Sequence, residues 1–273
     1  AFTSFFGPDP LNLLGVILLT SLGTWGLPQM VHKFYTIKSE KAVQTGTVIS
    51  TVFAVIISGG CYFLGGFGRL FDGAGIYTAE GTVAYDAIIP AMLSTLPDVL
   101  IGIVVILVLS ASMSTLSSLV LTSSSTLTLD FIKGNIAKNL SEKKQLLLMR
   151  ILIVFFIAVS VILALDPPTF IAQLMGISWG ALAGAFLAPF LYGLFWKGTT
   201  KLAVWASFIT GVGITVANMF FKFIASPINA GAVAMVAGLI VVPVVSLLTP
   251  KLNKQKVDQI FTCYDEKVSV KQK

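Results

Sequence analysis

Apolar residues in this chain gather into long runs separated by short polar stretches. Seven runs are readable, at about 11–32, 43–66, 99–129, 146–165, 169–196, 202–221 and 231–249. Each approaches the roughly 20 apolar residues an α-helix needs to cross the hydrocarbon core, so the pattern predicts about seven transmembrane helices. The third run is longer than a bilayer requires, which predicts a tilted helix or one that reaches into the cytoplasm. Ahead of it, Asp86–Pro97 (DAIIPAMLSTLP) is short and amphipathic and reads as an extracellular surface helix, not a span. Residues 130–145 are polar and basic, and residues 250–273 form a polar tail with no sustained apolar periodicity. The expected organisation is a transmembrane domain over 1–249 and a cytoplasmic tail over 250–273.

Lysine and arginine placement sets the expected orientation. If the first run crosses inward, sixteen of the 18 basic residues fall on the cytoplasmic side, and only Arg69 and Lys222 lie outside. The tail is then cytoplasmic, and the protein is a multi-pass protein of the cell membrane. Composition agrees: 56% of residues are hydrophobic, 11% are charged and the mean hydropathy is +0.92, beyond what a soluble domain of this length needs. The net charge of +6 resides in loops between apolar runs, which argues for a lipid bilayer and against nucleic acid as the partner. Cys61 and Cys263 offer neither a disulfide framework nor a metal cluster. The chain opens on Ala1 with no charged leader, and its start reads as internal to a longer protein.

Within the third run, twelve of the 19 residues from Ser110 to Thr128 are Ser or Thr, and Asp130 follows. On a helix, Ala111, Thr115, Ser118, Thr122 and Ser125 recur at steps of four, three, four and three and form one stripe, with Ser114 and Ser117 beside it. Neutral oxygens in such a stripe can replace the hydration shell of a monovalent cation. They can equally bond back to carbonyls of their own helix, or let helices pack closely.

The first run is interrupted by Gly23, Gly26 and Pro28. Proline removes one amide donor and deprives the carbonyl four residues earlier, at Thr24, of its helical partner. Unwound backbone at bilayer depth is tolerated only where it is buried in protein or lines a cavity, so this run is a candidate solute-site helix with Trp25 and Gln29 within reach. A plain proline kink is the competing reading. In the fifth run, Gly176, Gly180 and Gly184 make a close-packing face, with Ser178 and Trp179 beside it. No catalytic constellation appears: His32 is the single histidine, and no run carries paired carboxylates, so an enzyme is not expected.

At these motifs the chain resembles the sodium:solute symporter family, most closely its proline-transporter branch. The resemblance rests on Gly26-Leu27-Pro28-Gln29 followed by Lys33 and Phe34, on Met113-Ser114-Thr115-Leu116-Ser117-Ser118 with Asp130 beyond, and on Ser178-Trp179-Gly180-Ala181. It implies an all-α membrane protein with a LeuT-like inverted-repeat fold. This chain would supply the second repeat plus two peripheral helices, and the N-terminal half of the same protein would lie outside it. It also implies a sodium (Na+) site to which Ala111 gives a carbonyl and Ser114 and Thr115 give hydroxyls. Ser117 and Ser118 match positions of an additional sodium site. Thr20, Thr24, Trp25, Pro28 and Gln29 are the implied solute positions. In the proline branch the equivalents of Thr24 and Thr20 are a tyrosine and a tryptophan, so the solute pattern departs there while Pro28 is kept. The expected function is sodium-coupled symport of a small organic solute, an amino acid or a carboxylate such as proline or pantothenate, by alternating access. A solute-sensing membrane domain and an ion channel are the alternatives.

Overall fold

A computed structural model of the chain describes residues 6–7, 9–31, 37–71, 73, 75–78, 81–167 and 170–264, the side chain of Gln29 excepted. It is helical almost throughout. Successive helices are α1 (Pro10–Ser21), α2 (Pro28–Val31), α3 (Glu40–Gly66), α4 (Tyr85–Leu93), α5 (Asp98–Ser125), α6 (Glu142–Leu165), α7 (Ile171–Phe195), α8 (Lys201–Phe221), α9 (Pro227–Leu248) and α10 (Lys254–Phe261). Among the described residues, six helices are long and apolar enough to cross a membrane. The seventh expected span, 11–32, is not one helix but the broken element α1–α2. The chain divides into one unit of residues up to Gly60 and from Ile171 onward, and a second of Cys61–Phe170.

In the first unit, α7, α8 and α9 pack against one another, and α1 lies on α9 and α7. The expected small-residue face of α7 is buried: Gly176, Gly180, Gly184 and Ala188 follow at four-residue steps. A β-carbon on Gly176 would lie 3.0 Å from the Cα of Ile228, and one on Gly180 would overlap the Cα of Gly231. The backbones of α7 and α9 therefore meet directly, which maximises dispersion contacts where no hydrophobic effect operates between helices. The buried stripe of α8 is Ala203, Ser207, Gly211, Thr215 and Asn218, and Gly211 rests on the backbone of Gly184.

Most polar groups at the ends of these helices are satisfied, the exception being Asn229 Oδ1 in the first turn of α9, which is buried without a hydrogen-bond partner among the described residues. Thr200 caps α8, donates its amide to Ser246 Oγ at 3.2 Å and pairs its hydroxyl with that of Thr249 at 2.7 Å. At the far end Lys222 takes a left-handed conformation (φ 48°), and Asn218 holds the following turn through both polar atoms of Ile224. The tail is not shapeless: α10 is amphipathic and docks on the α7–α8 connection. There Lys197 Nζ lies 2.7 Å from Asp258 and 5.4 Å from the centre of the Phe261 ring, while Tyr264 donates its hydroxyl to the Leu194 carbonyl.

In the second unit, α5 continues without a break into a π-wound stretch, Thr126–Ile136, so the helical run extends to Ile136 instead of ending near residue 129. Asn135 spans the wider turn, donating its side-chain amide to the carbonyls of Asp130 and Phe131, each at 3.2 Å. Val120, Ser124 and Thr128, again at four-residue steps, are the buried face of this run, and α6 packs against it. The short helix expected over 86–97 forms as α4, nine residues long. The strongly apolar windows of α3, α5 and α6 have no buried residues, whereas those of α7 and α9 are 39% buried.

Candidate functional site

The break between α1 and α2 occurs where its sequence demands. Helix α1 ends at Ser21, and Gly23–Gly26 tighten into a single 3-10 turn. Leu27 is extended (φ −90°, ψ 113°), the conformation preferred before proline, and Pro28 opens α2 as its first residue. The Thr24 carbonyl is not left open as expected: it accepts from the Leu27 amide at 3.3 Å. The 3-10 register recovers that bond because a donor three residues on replaces the one proline lacks.

The turn is seated rather than loose. Gly23 and Gly26 are buried, Leu27 is fully enclosed, and a β-carbon on Gly26 would lie 2.8 Å from Ala183 Cα and 3.0 Å from the Leu187 amide nitrogen. Leu19, Ala183, Leu187, Ile228, Ala232 and Met235 form the apolar bed beneath it. Farther along α1, Ser226 donates to Asn12 Oδ1 at 2.8 Å and ties the helix to the start of α9. These bedding residues went unnoticed in the sequence, although the small residues of α7 were a usable signal for a close neighbour.

The predicted solute positions stand on the open side of this element. Thr20 is exposed and donates to the Val16 carbonyl at 2.7 Å, Thr24 is half-buried and donates to Ser21 at 3.0 Å, and Trp25 is 57% exposed. Pro28 is exposed as well, while the Gln29 side chain and His32, Lys33 and Phe34 lie outside the described residues. Trp179 packs against the apolar bed instead of joining this face, and Ser178 is exposed.

Of the predicted ion residues on α5, Ser114 and Thr115 both turn back to Ala111. The Ala111 carbonyl oxygen accepts from Ser114 Oγ at 2.9 Å and from Thr115 Oγ1 at 3.1 Å. Three neutral oxygens thus cluster on an exposed face of an apolar helix. A hydroxyl that donates its proton keeps both lone pairs, so each can still face a cation. Ser117 donates to Met113 at 2.7 Å and Ser118 to Thr115 at 2.8 Å, and Thr122 and Ser125 follow the same habit. Back-bonding satisfies every one of these hydroxyls in an apolar surround, which is how the helix carries so many of them. The buried face holds an exception: Thr128 Oγ1 is fully enclosed without a hydrogen-bond partner.

The chain is 31% identical over 213 residues to the sodium/proline symporter of Haemophilus influenzae, covering 77% of this chain and 42% of that protein. It is 30% identical over 200 residues to the sodium/pantothenate symporter of the same organism, covering 72% and 40%. It is 26% identical over 253 residues to a sodium/proline symporter of Staphylococcus aureus, covering 90% and 49%. The chain thus spans less than half the length of these curated relatives. No solved structure matches it significantly. The sodium:solute symporter family, a group of transporters and not of enzymes, matches residues 6–211, a stretch that includes the broken helix and the hydroxyl-bearing helix alike, and the chain belongs to that family.

Proposed function

We propose that this chain forms one wall of a sodium-coupled symporter for a small organic solute. The observation that carries the reading is the convergence of Ser114 and Thr115 on the Ala111 carbonyl, inside a segment the symporter family matches. Sodium is a hard cation that takes neutral oxygens, and a carbonyl with two hydroxyls is a suitable partial shell. Because both hydroxyls now donate to the carbonyl that sodium would use, ion entry requires at least one to rotate away. Ser117 and Ser118 extend the same oxygen surface by one turn and are the candidates for a second ion.

The broken element α1–α2 supplies the solute wall. Thr20, Thr24, Trp25, Pro28 and Gln29 offer two small hydroxyls, an exposed indole and backbone near an interrupted helix, features suited to a small amino acid or carboxylate. The names of the relatives, proline and pantothenate symporters, agree with that class. The architecture proposed is a LeuT-like inverted repeat, with this chain as its second repeat and two peripheral helices, and the facing walls supplied by the remaining length of the relatives. The distribution of basic residues supports a cytoplasmic C-terminal tail. Sodium binding favours an outward-open state that takes solute, and both leave inward under the ion gradient.

Thr115→Ala in the full-length protein tests this. Removing one of three clustered oxygens raises the sodium concentration for half-maximal uptake about tenfold, the effect of one weak ligand of about 1.4 kcal/mol. Sodium dependence equal to wild type sinks the assignment.

A further inference from the structure

Helices α7 and α9 each carry a proline in mid-run, Pro189 and Pro243. Neither has the amide that would reach the carbonyl four residues earlier, so the Ala185 and Leu239 carbonyls lose their regular helical donors. Hydroxyls from neighbouring helices reach both. Tyr192 of α7 donates to the Leu239 carbonyl at 3.0 Å, and Ser207 of α8 donates to the Ala185 carbonyl at 3.5 Å. The first is an ordinary hydrogen bond and the second a long, weaker one. Elsewhere on these helices hydroxyls bond back to their own turn: Thr215 takes the Gly211 carbonyl at 3.0 Å, and Thr249 takes Val245 at 2.7 Å. Ser207 instead is fully buried and reaches across to α7. Gly238 of α9 leaves it room, since a β-carbon there would lie 3.1 Å from Ser207 Oγ.

Both carbonyls belong to the layer on which the α1–α2 break is seated. Ala185 stands between Ala183 and Leu187, the residues that a β-carbon on Gly26 would strike. The Leu239 side chain packs on the cluster of Leu19, Ala183, Leu187 and Met235. A helix turn that has lost a bond to proline is free to bend, and a donor from a neighbouring helix both satisfies the carbonyl and fixes the bend. We propose that Tyr192 and Ser207 are positioning residues for the solute wall, an assignment that rests on α1–α2 being that wall. Their hydroxyls stand in for the amides missing at Pro243 and Pro189. They thereby hold α9 and α7 in the shape that seats the turn bearing Thr24 and Trp25.

The experiment is a double-mutant cycle in the full-length protein. Tyr192→Phe keeps the ring, removes the hydroxyl and lowers the unfolding midpoint in detergent by about 2 °C. Pro243→Ala returns an amide to the Leu239 carbonyl, so in that background Tyr192→Phe shifts the midpoint by less than about 0.5 °C. Ser207→Ala with and without Pro189→Ala repeats the cycle on α7 with about half the shift, and decides the matter if Pro243→Ala fails to fold. Sodium-driven uptake of proline or pantothenate into proteoliposomes is the second readout. Tyr192→Phe raises the solute KM about threefold at unchanged maximal uptake per folded molecule, and adds less than about twofold to Pro243→Ala. A midpoint loss of equal size with and without the proline would mean an ordinary buried contact and overturn the replacement of the amide, as would no loss at all. Coupled midpoints with an unchanged KM would overturn the positioning role. A wild type that takes up neither solute counts against the solute-wall reading alone, while the midpoint cycle still upholds or overturns the stand-in for the amides.

Discussion

Gly26→Ala isolates what holds the broken helix in place. Gly26 closes the 3-10 turn, and a β-carbon there would sit 2.8 Å from Ala183 Cα, 3.0 Å from Leu187 Cβ and 3.0 Å from the Leu187 nitrogen. Carbon atoms prefer separations of about 3.5–4.0 Å, so something must move by most of an ångström. Two of the three obstacles are backbone atoms of α7, and α7 cannot retreat because Gly180 already touches Gly231 of α9 on the same helix. Overpacking of this kind costs about 1–3 kcal/mol. Alanine's narrower unfolded ensemble returns only about 0.4–1 kcal/mol. The net is a loss centred on about 1 kcal/mol and at most about 2.6 kcal/mol, with the turn that carries Thr24 and Trp25 pushed off its bed. Gly213→Ala on α8 is the control, because a β-carbon there meets nothing within 4 Å. In detergent-solubilised full-length protein, Gly26→Ala lowers the thermal midpoint and solute uptake per folded molecule, while Gly213→Ala leaves uptake unchanged and the midpoint equal or higher. A Gly26→Ala midpoint at or above that of Gly213→Ala refutes the close approach and the sign of the estimate.

Gly180→Leu places a branched side chain against the Gly231 backbone, and separation of α7 from α9 should reduce folded yield far more than the same change at exposed Gly193, as read by size-exclusion profile. Thr128→Val removes a fully enclosed hydroxyl with no partner and should raise stability by about 1 kcal/mol, measured as a higher unfolding midpoint; a lower midpoint would reveal a hidden partner. The hydrogen bond from Lys197 holds the Asp258 carboxyl below its ordinary value of 3.8. A depressed folded pKa means the clasp contributes above that value and is lost as pH falls through the lowered one, so protease accessibility of α10 should increase only below about pH 4. Lys197→Ala should expose α10 at neutral pH, with little change in the unfolding midpoint because the pair is solvent-exposed.

Much of this protein is legible locally. A bilayer requires apolar runs of fixed length, so α3 and α5 through α9 stand out as runs of the right length, and Gly23, Gly26 and Pro28 together mark a break that proline alone does not make, since Pro189 and Pro243 lie inside α7 and α9. The four-residue spacing of Gly176, Gly180 and Gly184 likewise announced a close contact before its partner was known. The hydroxyl stripe of α5 was visible too, since helical period alone places Thr115, Ser118 and Thr122 on one side.

Which surfaces meet is another matter. Periodicity says that α7 offers a smooth face, but only the tertiary structure decides that Gly231 of α9 and Gly211 of α8 fill it, because that depends on complementarity between remote segments. The same holds for the bed beneath Leu27, for the docking of α10 through Lys197, and for the π winding after Ser125, where a side chain five residues on supplies a bond that no propensity encodes. Local chemistry determined where the chain crosses, where it breaks, which helix bears oxygens and that Ser114 and Thr115 turn back to the Ala111 carbonyl three and four residues earlier; packing decided that the break is seated on α7, because that depends on remote segments meeting.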